Sequence, residues 1–329
     1  MKLLFARERL GDGVPADFLG SLLPGWEIAT CPPDRLTDSL DGVTAVCPLG
    51  TKIGADVLSA GKFGLVHQFG VGLDRVDVAA ATELGIWVAR VPGDIGGNAD
   101  SVAELAVLQL LALSRRLDES RAALATGSWA DRPAGRSLVD ATVVIVGLGA
   151  IGTGVARRLA PFGPRLLAVR EHPDKPAPAG VDAVAGPDRL HELLAQADAV
   201  VCCAMLHNGN AGLFSAAEFA AMKPGALFIN VARGGLVDEP ALLAALDAGQ
   251  VGAAGLDVFA REPVDPENAL VRHPRVLATP HVGWHTGLMF RRTSEVFAAN
   301  LRRFAHGEDP RWAVNSPAFR RSPQPECLM

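Results

Sequence analysis

The chain has 329 residues, of which 49% are hydrophobic and 20% charged, with a formal net charge of −5. That length suffices for two domains with separate cores, and the composition excludes a disordered chain. The small charge and the lack of a long basic stretch argue against nucleic acid or an anionic membrane as partner.

Five cysteines, Cys31, Cys47, Cys202, Cys203 and Cys327, form no C-x-x-C pair and are odd in number. They read as reduced, core-filling thiols, with neither a disulfide framework nor a metal site. The N-terminus lacks a long apolar stretch and no apolar run reaches membrane-spanning length, so the expected location is the cytoplasm.

Met1 to about Asn98 reads as a first α/β unit. Strands are expected at Lys2–Ala6, Trp26–Cys31, Val43–Pro48, Leu65–Phe69 and Ile86–Ala89, and helices at Pro15–Leu23 and Ala55–Ala60. Their alternation implies a parallel sheet. The turn Gln68–Asp74 follows a strand and contains two glycines. Such a loop either offers successive backbone N–H groups to an anion or simply leaves the strand, and spacing alone leaves both readings open.

Asn98–Leu117 is the clearest helix. Ser101 followed by Glu104 makes a capping-box pattern. Val102, Leu105, Ala106, Leu108, Leu110, Leu111 and Leu113 run almost all the way round it. The expectation is a helix buried between domains or against another subunit. Ala125–Ser137 reads as a loop.

The stretch Thr142–Gly152 reads Thr-Val-Val-Ile-Val-Gly-Leu-Gly-Ala-Ile-Gly. Val143–Val146 is a β-branched run suited to a strand buried on both faces. Gly147, Gly149 and Gly152 follow with G-x-G-x-x-G spacing, and a helical pattern with Val155 and Leu159 on one face comes next. In a strand–turn–helix of this kind the first glycine permits the turn and the second lets backbone approach a pyrophosphate. The third lets helix pack close to strand, and the anion sits at the helix N-terminus. A glycine turn in an ordinary βα unit is the bland alternative, and the flanking elements favour the dinucleotide.

Further strands are expected at Leu166–Val169, Asp198–Ala204, Ala226–Val231, Ala253–Val258 and Val276–Ala278, with helices at Asp188–Gln196 and Glu239–Ala248. Together they describe a second doubly wound α/β unit. The amphipathic stretch Leu288–Phe304 reads as a helix, and Asn315–Met329 as a mobile tail.

The motifs Gly147–Gly152, Met222–Asp238 (Met-Lys-Pro-Gly-Ala-Leu-Phe-Ile-Asn-Val-Ala-Arg-Gly-Gly-Leu-Val-Asp), Gly255–Pro263 (Gly-Leu-Asp-Val-Phe-Ala-Arg-Glu-Pro) and Thr279–Trp284 (Thr-Pro-His-Val-Gly-Trp), in this order and spacing, resemble the D-isomer-specific 2-hydroxyacid dehydrogenases. That family includes NADP-dependent glyoxylate/hydroxypyruvate reductases. The resemblance implies two Rossmann-like or flavodoxin-like domains with doubly wound parallel sheets. A dinucleotide-binding domain, residues 99–284, is inserted into a discontinuous substrate domain, residues 1–98 and 285–329. It implies hydride transfer between a nicotinamide cofactor and C2 of a small 2-oxo or D-2-hydroxy acid, in a homodimer.

By the same resemblance Arg233 grips the substrate carboxylate and carbonyl, a task that suits its planar fork. His281 is the acid that protonates the carbonyl oxygen, since histidine ordinarily titrates near neutrality. Glu262 holds and charges that imidazole. Gly147, Gly149, Ala150, Ile151, Gly152, Ala232 and Asp257 are the implied cofactor contacts, Asp257 beside the nicotinamide. Val71 and Gly72 are the implied carboxylate-binding amides, and Trp284 shapes the pocket or packs in the core.

The sequence departs from an NAD-preferring pattern at the end of the second strand, where an acid normally takes the ribose hydroxyls. Arg170 stands there. A guanidinium pairs with a 2′-phosphate instead, with His172 and Lys175 adding charge, so NADP(H) is the expected cofactor. NAD(H) is the alternative, because Glu171 is one residue away. A second departure is Cys202–His207, where Met205 and His207 replace the family's usual Pro and Thr. Two rival functions stand: a non-catalytic nucleotide-sensing binder, like the related C-terminal-binding corepressors, and a dehydrogenase of another small anion such as formate or phosphite.

Overall fold

A computed structural model describes residues 1–10, 16–130 and 133–321. The first residue of the helix expected at Pro15–Leu23, Cys327 and most of the C-terminal tail lie outside the described residues. The chain divides into two compact units, one from Met1–Asn98 with the chain from His285 onward, the other Ala99–Trp284.

In the first unit the elements are β1 (Lys2–Phe5), α1 (Ala16–Leu22), β2 (Glu27–Thr30), β3 (Ala45–Cys47), α2 (Ala55–Ala60), β4 (Leu65–Gln68), α3 (Val78–Glu83) and β5 (Trp87–Arg90). All pairings are parallel, in the order β2-β1-β3-β4-β5. That is a flavodoxin-like sheet, as the alternation of strands and helices predicts. The helix α3 was not expected from its sequence, Val-Ala-Ala-Ala-Thr-Glu. Asp77 starts it by accepting a hydrogen bond from the Ala80 N–H at 3.0 Å.

The second unit opens with α4 (Asn98–Ser114) and α5 (Leu117–Ala125) and continues with β6 (Thr142–Val146), α6 (Ala150–Leu159), β7 (Arg165–Val169), β8 (Ala183–Ala185), α7 (Leu190–Leu194), β9 (Ala199–Cys202), α8 (Ala216–Ala221), β10 (Ala226–Asn230), α9 (Glu239–Asp247), β11 (Val251–Leu256), α10 (Ala269–Arg272) and β12 (Val276–Ala278). Its seven parallel strands lie in the order β12-β11-β10-β9-β6-β7-β8. The order reverses at β6, the switch point where doubly wound sheets bind ligands. Val143 and Ile145 enter one core cluster, with α4 and α6. Val144 and Val146 enter the other, with Phe214, Phe219 and Phe228. Both faces of β6 are thus buried, which is why its sequence is continuously apolar rather than alternating.

Two expectations about α4 need correction. The helix begins at Asn98, so Ser101 falls inside it at 4% exposure and Glu104 caps nothing at the start. Glu104 instead accepts a bond from Arg158 at 3.1 Å, beside Asp100 at 2.9 Å. A capping box does form elsewhere, at Ser215 and Glu218 of α8. The helix also ends at Ser114, because Arg116 adopts a left-handed conformation (φ 50°) and α5 starts anew. Leu108, on the apolar surface of α4, is 58% exposed in the single chain.

The last helix, α11 (Gly287–Ala305), is capped by Thr286, whose side chain accepts from the Met289 N–H at 3.2 Å, and belongs to the first unit. Phe297 on its buried face meets Phe5, His67 and Phe69 with ring centroids 6.0, 4.6 and 5.2 Å away. His67 is fully buried on β4. Its Nδ1 donates to the Gln68 carbonyl at 3.0 Å and its Nε2 accepts from the Asn300 amide at 2.9 Å. The ring is therefore neutral, and burial pushes its pKa down to about 4. No helix among the described residues is long and apolar enough to cross a membrane.

Candidate active site

The site residues of the second unit all follow the carboxyl ends of its strands. His281 follows β12, Asp257 β11, Arg233 β10, Gly147–Gly152 β6 and Arg170 β7. Because β12, β11 and β10 are neighbours in the sheet, positions far apart in sequence come to one edge.

The glycine turn is shaped by contact. Gly147 has φ 95°, and a Cβ there would sit 2.5 Å from the Ala204 backbone on the loop leaving β9. A Cβ on Gly152 would sit 2.0 Å from the Gly147 carbonyl oxygen. Around Gly149 nothing lies within 4 Å of a would-be Cβ, and no side chain caps α6, which begins at Ala150. The amino end of a ten-residue helix thus faces open space with no acid in its first turn, the electrostatic and steric need of a phosphate. Ile151 packs on the core beneath.

Arg170 lies beyond β7. Its Nη2 donates to the Pro176 carbonyl at 3.3 Å, and its buried Nε has no hydrogen-bond partner. Glu171, the nearby acid, is tied to His207 on the loop after β9 (Nε2 to Oε1, 3.0 Å). The Gly209 N–H donates to the other nitrogen of that ring at 3.1 Å. An acceptor Nδ1 leaves Nε2 as the nitrogen with the proton, so the bond to Glu171 is a donated one. His172 and Lys175 are exposed. The open cradle at Gly149 and the uncapped helix behind it fit the pyrophosphate of a dinucleotide.

Arg233 is set by a close backbone crossing. A Cβ on Gly234 would lie 1.9 Å from the Phe259 carbonyl carbon, so the loops after β10 and β11 touch. Asn230, at 1% exposure, accepts the Ala232 N–H at 3.0 Å and donates to the Arg233 carbonyl at 3.1 Å. Arg233 Nη1 donates to the Ala232 carbonyl at 2.8 Å. Glu262 binds the Phe259 N–H through Oε1 at 3.1 Å and His281 Nδ1 through Oε2 at 2.8 Å. Burial alone would raise the Glu262 pKa. The bonds from His281 and Phe259 and the charges of His281 and Arg233 outweigh it and hold the carboxyl below its usual range. Arg233, Glu262 and His281 are thus electrostatically coupled. A carboxylate accepts only, so the His281 ring carries a proton on Nδ1, and Nε2 is the nitrogen that this bond leaves unused.

His281 itself sits at φ 52°, an uncommon conformation for a residue with a side chain. Asp257 holds that turn. Its backbone carbonyl accepts the His281 N–H at 2.8 Å. Its carboxylate accepts from Thr279 at 2.6 Å, Val282 at 2.9 Å and Gly283 at 2.9 Å. Trp284 is half-buried and packs against the core cluster shared by α4 and α6. Val71 and Gly72 lie in the first unit, in the loop after β4, where Gly70 adopts φ 145° and its carbonyl accepts the Val91 N–H at 2.9 Å.

A sequence model of the family described as D-isomer specific 2-hydroxyacid dehydrogenase, NAD binding domain, matches residues 107–283. The chain belongs to this family. A D-3-phosphoglycerate dehydrogenase of Mycobacterium tuberculosis is 39% identical over 269 residues, covering 80% of this chain and 49% of the relative. The chain spans about half the length of the curated relatives it matches. The TT0316 protein from Thermus thermophilus has a similar solved structure, with TM-score 0.84 and 32% identity over 96% of this chain and all of that one. So does an NADPH-dependent glyoxylate/hydroxypyruvate reductase from Sinorhizobium meliloti in complex with citrate, with TM-score 0.81 and 29% identity over 97% and 99% of the two chains.

In this family member three supporting residues escaped sequence reasoning: Asn230, Thr279 and Gln109. Each is a polar residue interrupting an apolar run, and that was the available signal. Asn230 ends the strand Ala-Leu-Phe-Ile-Asn, and Gln109 sits in the apolar helix α4.

Proposed function

We propose that the chain is an NADP(H)-dependent reductase of small 2-oxo acids, working on C2 of the 2-oxo or D-2-hydroxy acid. The observation that carries this reading is the His281–Glu262 bond of 2.8 Å coupled to Arg233. In this proposal residues 99–284 hold the cofactor, and residues 1–98 with 285–329 supply the substrate side, including the Val71 and Gly72 amides. The turn Gly147–Gly152, Arg170, Ala232 and Asp257 would hold NADP(H), which supplies the hydride when bound.

Arg233 binds the carboxylate and polarises the C2 carbonyl. His281 delivers the proton from Nε2 to the carbonyl oxygen, and Glu262 keeps the imidazolium favourable and in register. The engagement of Glu171 by His207 supports NADP(H), because the acid that would accept the ribose hydroxyls is already bonded. Reduction is the proposed working direction. The relatives' names cover 3-phosphoglycerate, glyoxylate and hydroxypyruvate, all consistent with a 2-oxo or 2-hydroxy acid. Leu108, Leu117, Leu124 and Trp129, each at least 48% exposed in the second unit, supply an apolar face for a second copy of the chain.

The test follows NADPH and NADH consumption over a panel of 2-oxo acids, and oxidation of formate and phosphite, with Arg233→Lys and His281→Asn as controls. Turnover of a 2-oxo acid with NADPH preferred, lost in both variants, is the expected result. Nucleotide binding with no turnover at all would favour the sensing binder, and turnover of formate or phosphite alone would move the chemistry to another anion.

A further inference from the structure

We propose that Gln109 is a positioning residue for His281, acting through Thr279 and Asp257. This rests on the acid role assigned to His281 above.

Gln109 is 1% exposed in the middle of α4, with apolar residues at Val107, Leu108, Leu110 and Leu111 around it. Stability does not explain an amide here. Its Oε1 is buried without a hydrogen-bond partner. An unsatisfied buried acceptor costs about 1–3 kcal/mol, which a leucine of similar volume avoids. Oε1 stands over Gly255 of β11, where a Cβ would approach it to 2.9 Å. The sheet thus leaves a glycine-sized gap for this side chain.

What the amide does is donate from Nε2 to Thr279 Oγ1 at 3.2 Å. A hydroxyl has one proton, and that of Thr279 goes to Asp257 Oδ1 at 2.6 Å. The same carboxylate receives the N–H groups of Val282 and Gly283, and the Asp257 carbonyl receives that of His281. A buried chain therefore runs from helix α4 through Thr279 and Asp257 to the backbone on both sides of the left-handed His281. Donation into the hydroxyl strengthens its bond to the carboxylate, since hydrogen bonds in series polarise one another. It also anchors the His281 turn to a helix rather than to loops alone. Left-handed backbone persists only when its surroundings over-determine it.

The experiment uses the full-length protein and the substrate that turns over fastest with it. Gln109→Leu and Gln109→Met should lower kcat about 3- to 10-fold, because a few tenths of an ångström of slack in an acid's position costs that much. KM for cofactor and substrate should be unchanged, and Tm equal to or above that of wild type. Thr279→Val should lower kcat likewise, with a lower Tm because it leaves the buried Gln109 amide and Asp257 carboxylate each short of a partner; Thr279→Ser should keep the wild-type rate, and the double variant Gln109→Leu/Thr279→Val should be no slower than the slower single. The ring NMR signal of His281, assigned by its loss in His281→Asn, should shift alike in Gln109→Leu and Thr279→Val. A kcat within twofold of wild type in both Gln109 variants, multiplying effects in the double, or an unmoved His281 signal would overturn the proposal. A wild type without turnover whose His281 signal still moves in both variants would instead refute the reductase reading and leave the positioning role standing.

Discussion

His67 makes folding of the first unit sensitive to mild acid. Its pKa lies near 4 in the folded chain, against about 6.5 for an exposed histidine. Between these values the unfolded chain binds a proton that the folded chain refuses. The contribution is therefore fully present above pH 6.5 and is lost as pH falls towards 4. From 6.5 down to 5 is 1.5 units, on the order of 2 kcal/mol at 1.36 kcal/mol per unit. No discount for solvent applies, since the ring is fully buried between Phe297 and Asn300. The perturbation is His67→Gln, which keeps a neutral donor and acceptor at all pH. Urea unfolding at pH 7.5 and pH 5 should show wild type losing about 2 kcal/mol more than the variant over that interval. Equal losses in the two proteins would refute the reasoning, as would a His67 ring signal that titrates near pH 6.5 in the folded state.

Three further outcomes are expected. Glu262→Gln keeps the shape but loses the anion beside His281, and kcat should fall about 100-fold with little change in KM; an undiminished kcat would remove Glu262 from the mechanism. Arg170→Asp should lower the ratio of kcat/KM with NADPH to that with NADH about 10- to 100-fold, the worth of hydrogen bonds to a charged group. An unchanged ratio would place the 2′-phosphate elsewhere. Gly234→Ala places a Cβ 1.9 Å from the Phe259 backbone, so unfolding should cost at least about 1–3 kcal/mol less, read as a lower Tm, and a wild-type Tm would mean that the crossing is looser than described.

The readable parts of the chain are those whose cause is local. The run Val143–Val146 spells a strand buried on both faces because each residue has only two faces to choose from. The glycines at 147 and 152 are forced by backbone contacts that any βα turn of this type makes. The capping box at Ser101 and Glu104 misled because the pattern is satisfied in sequence while Arg158, from α6, claims Glu104 in space. The break at Arg116 was invisible, since no glycine or proline marks that left-handed residue. At the site, the pairing of His281 with Glu262 became legible only through family resemblance. Nineteen positions separate the two, and only the neighbouring order of β11 and β12 brings their loops together. Gln109 looked like one polar exception in an apolar helix, and its meaning depends on Thr279, 170 positions away.

Arg233, Glu262 and His281 leave adjoining strands of a single sheet, so their mutual spacing is inherited from backbone hydrogen bonding rather than from any rearrangement of the N-terminal unit. Under the proposed function, chemistry and selectivity are then separable heritable traits. Loops of the first unit, such as the Gln68–Asp74 turn, can then drift or lengthen while the residues proposed as proton donor and carboxylate clamp stay in register on the second. A lineage built this way acquires new substrates by altering one module, without having to reinvent the reaction.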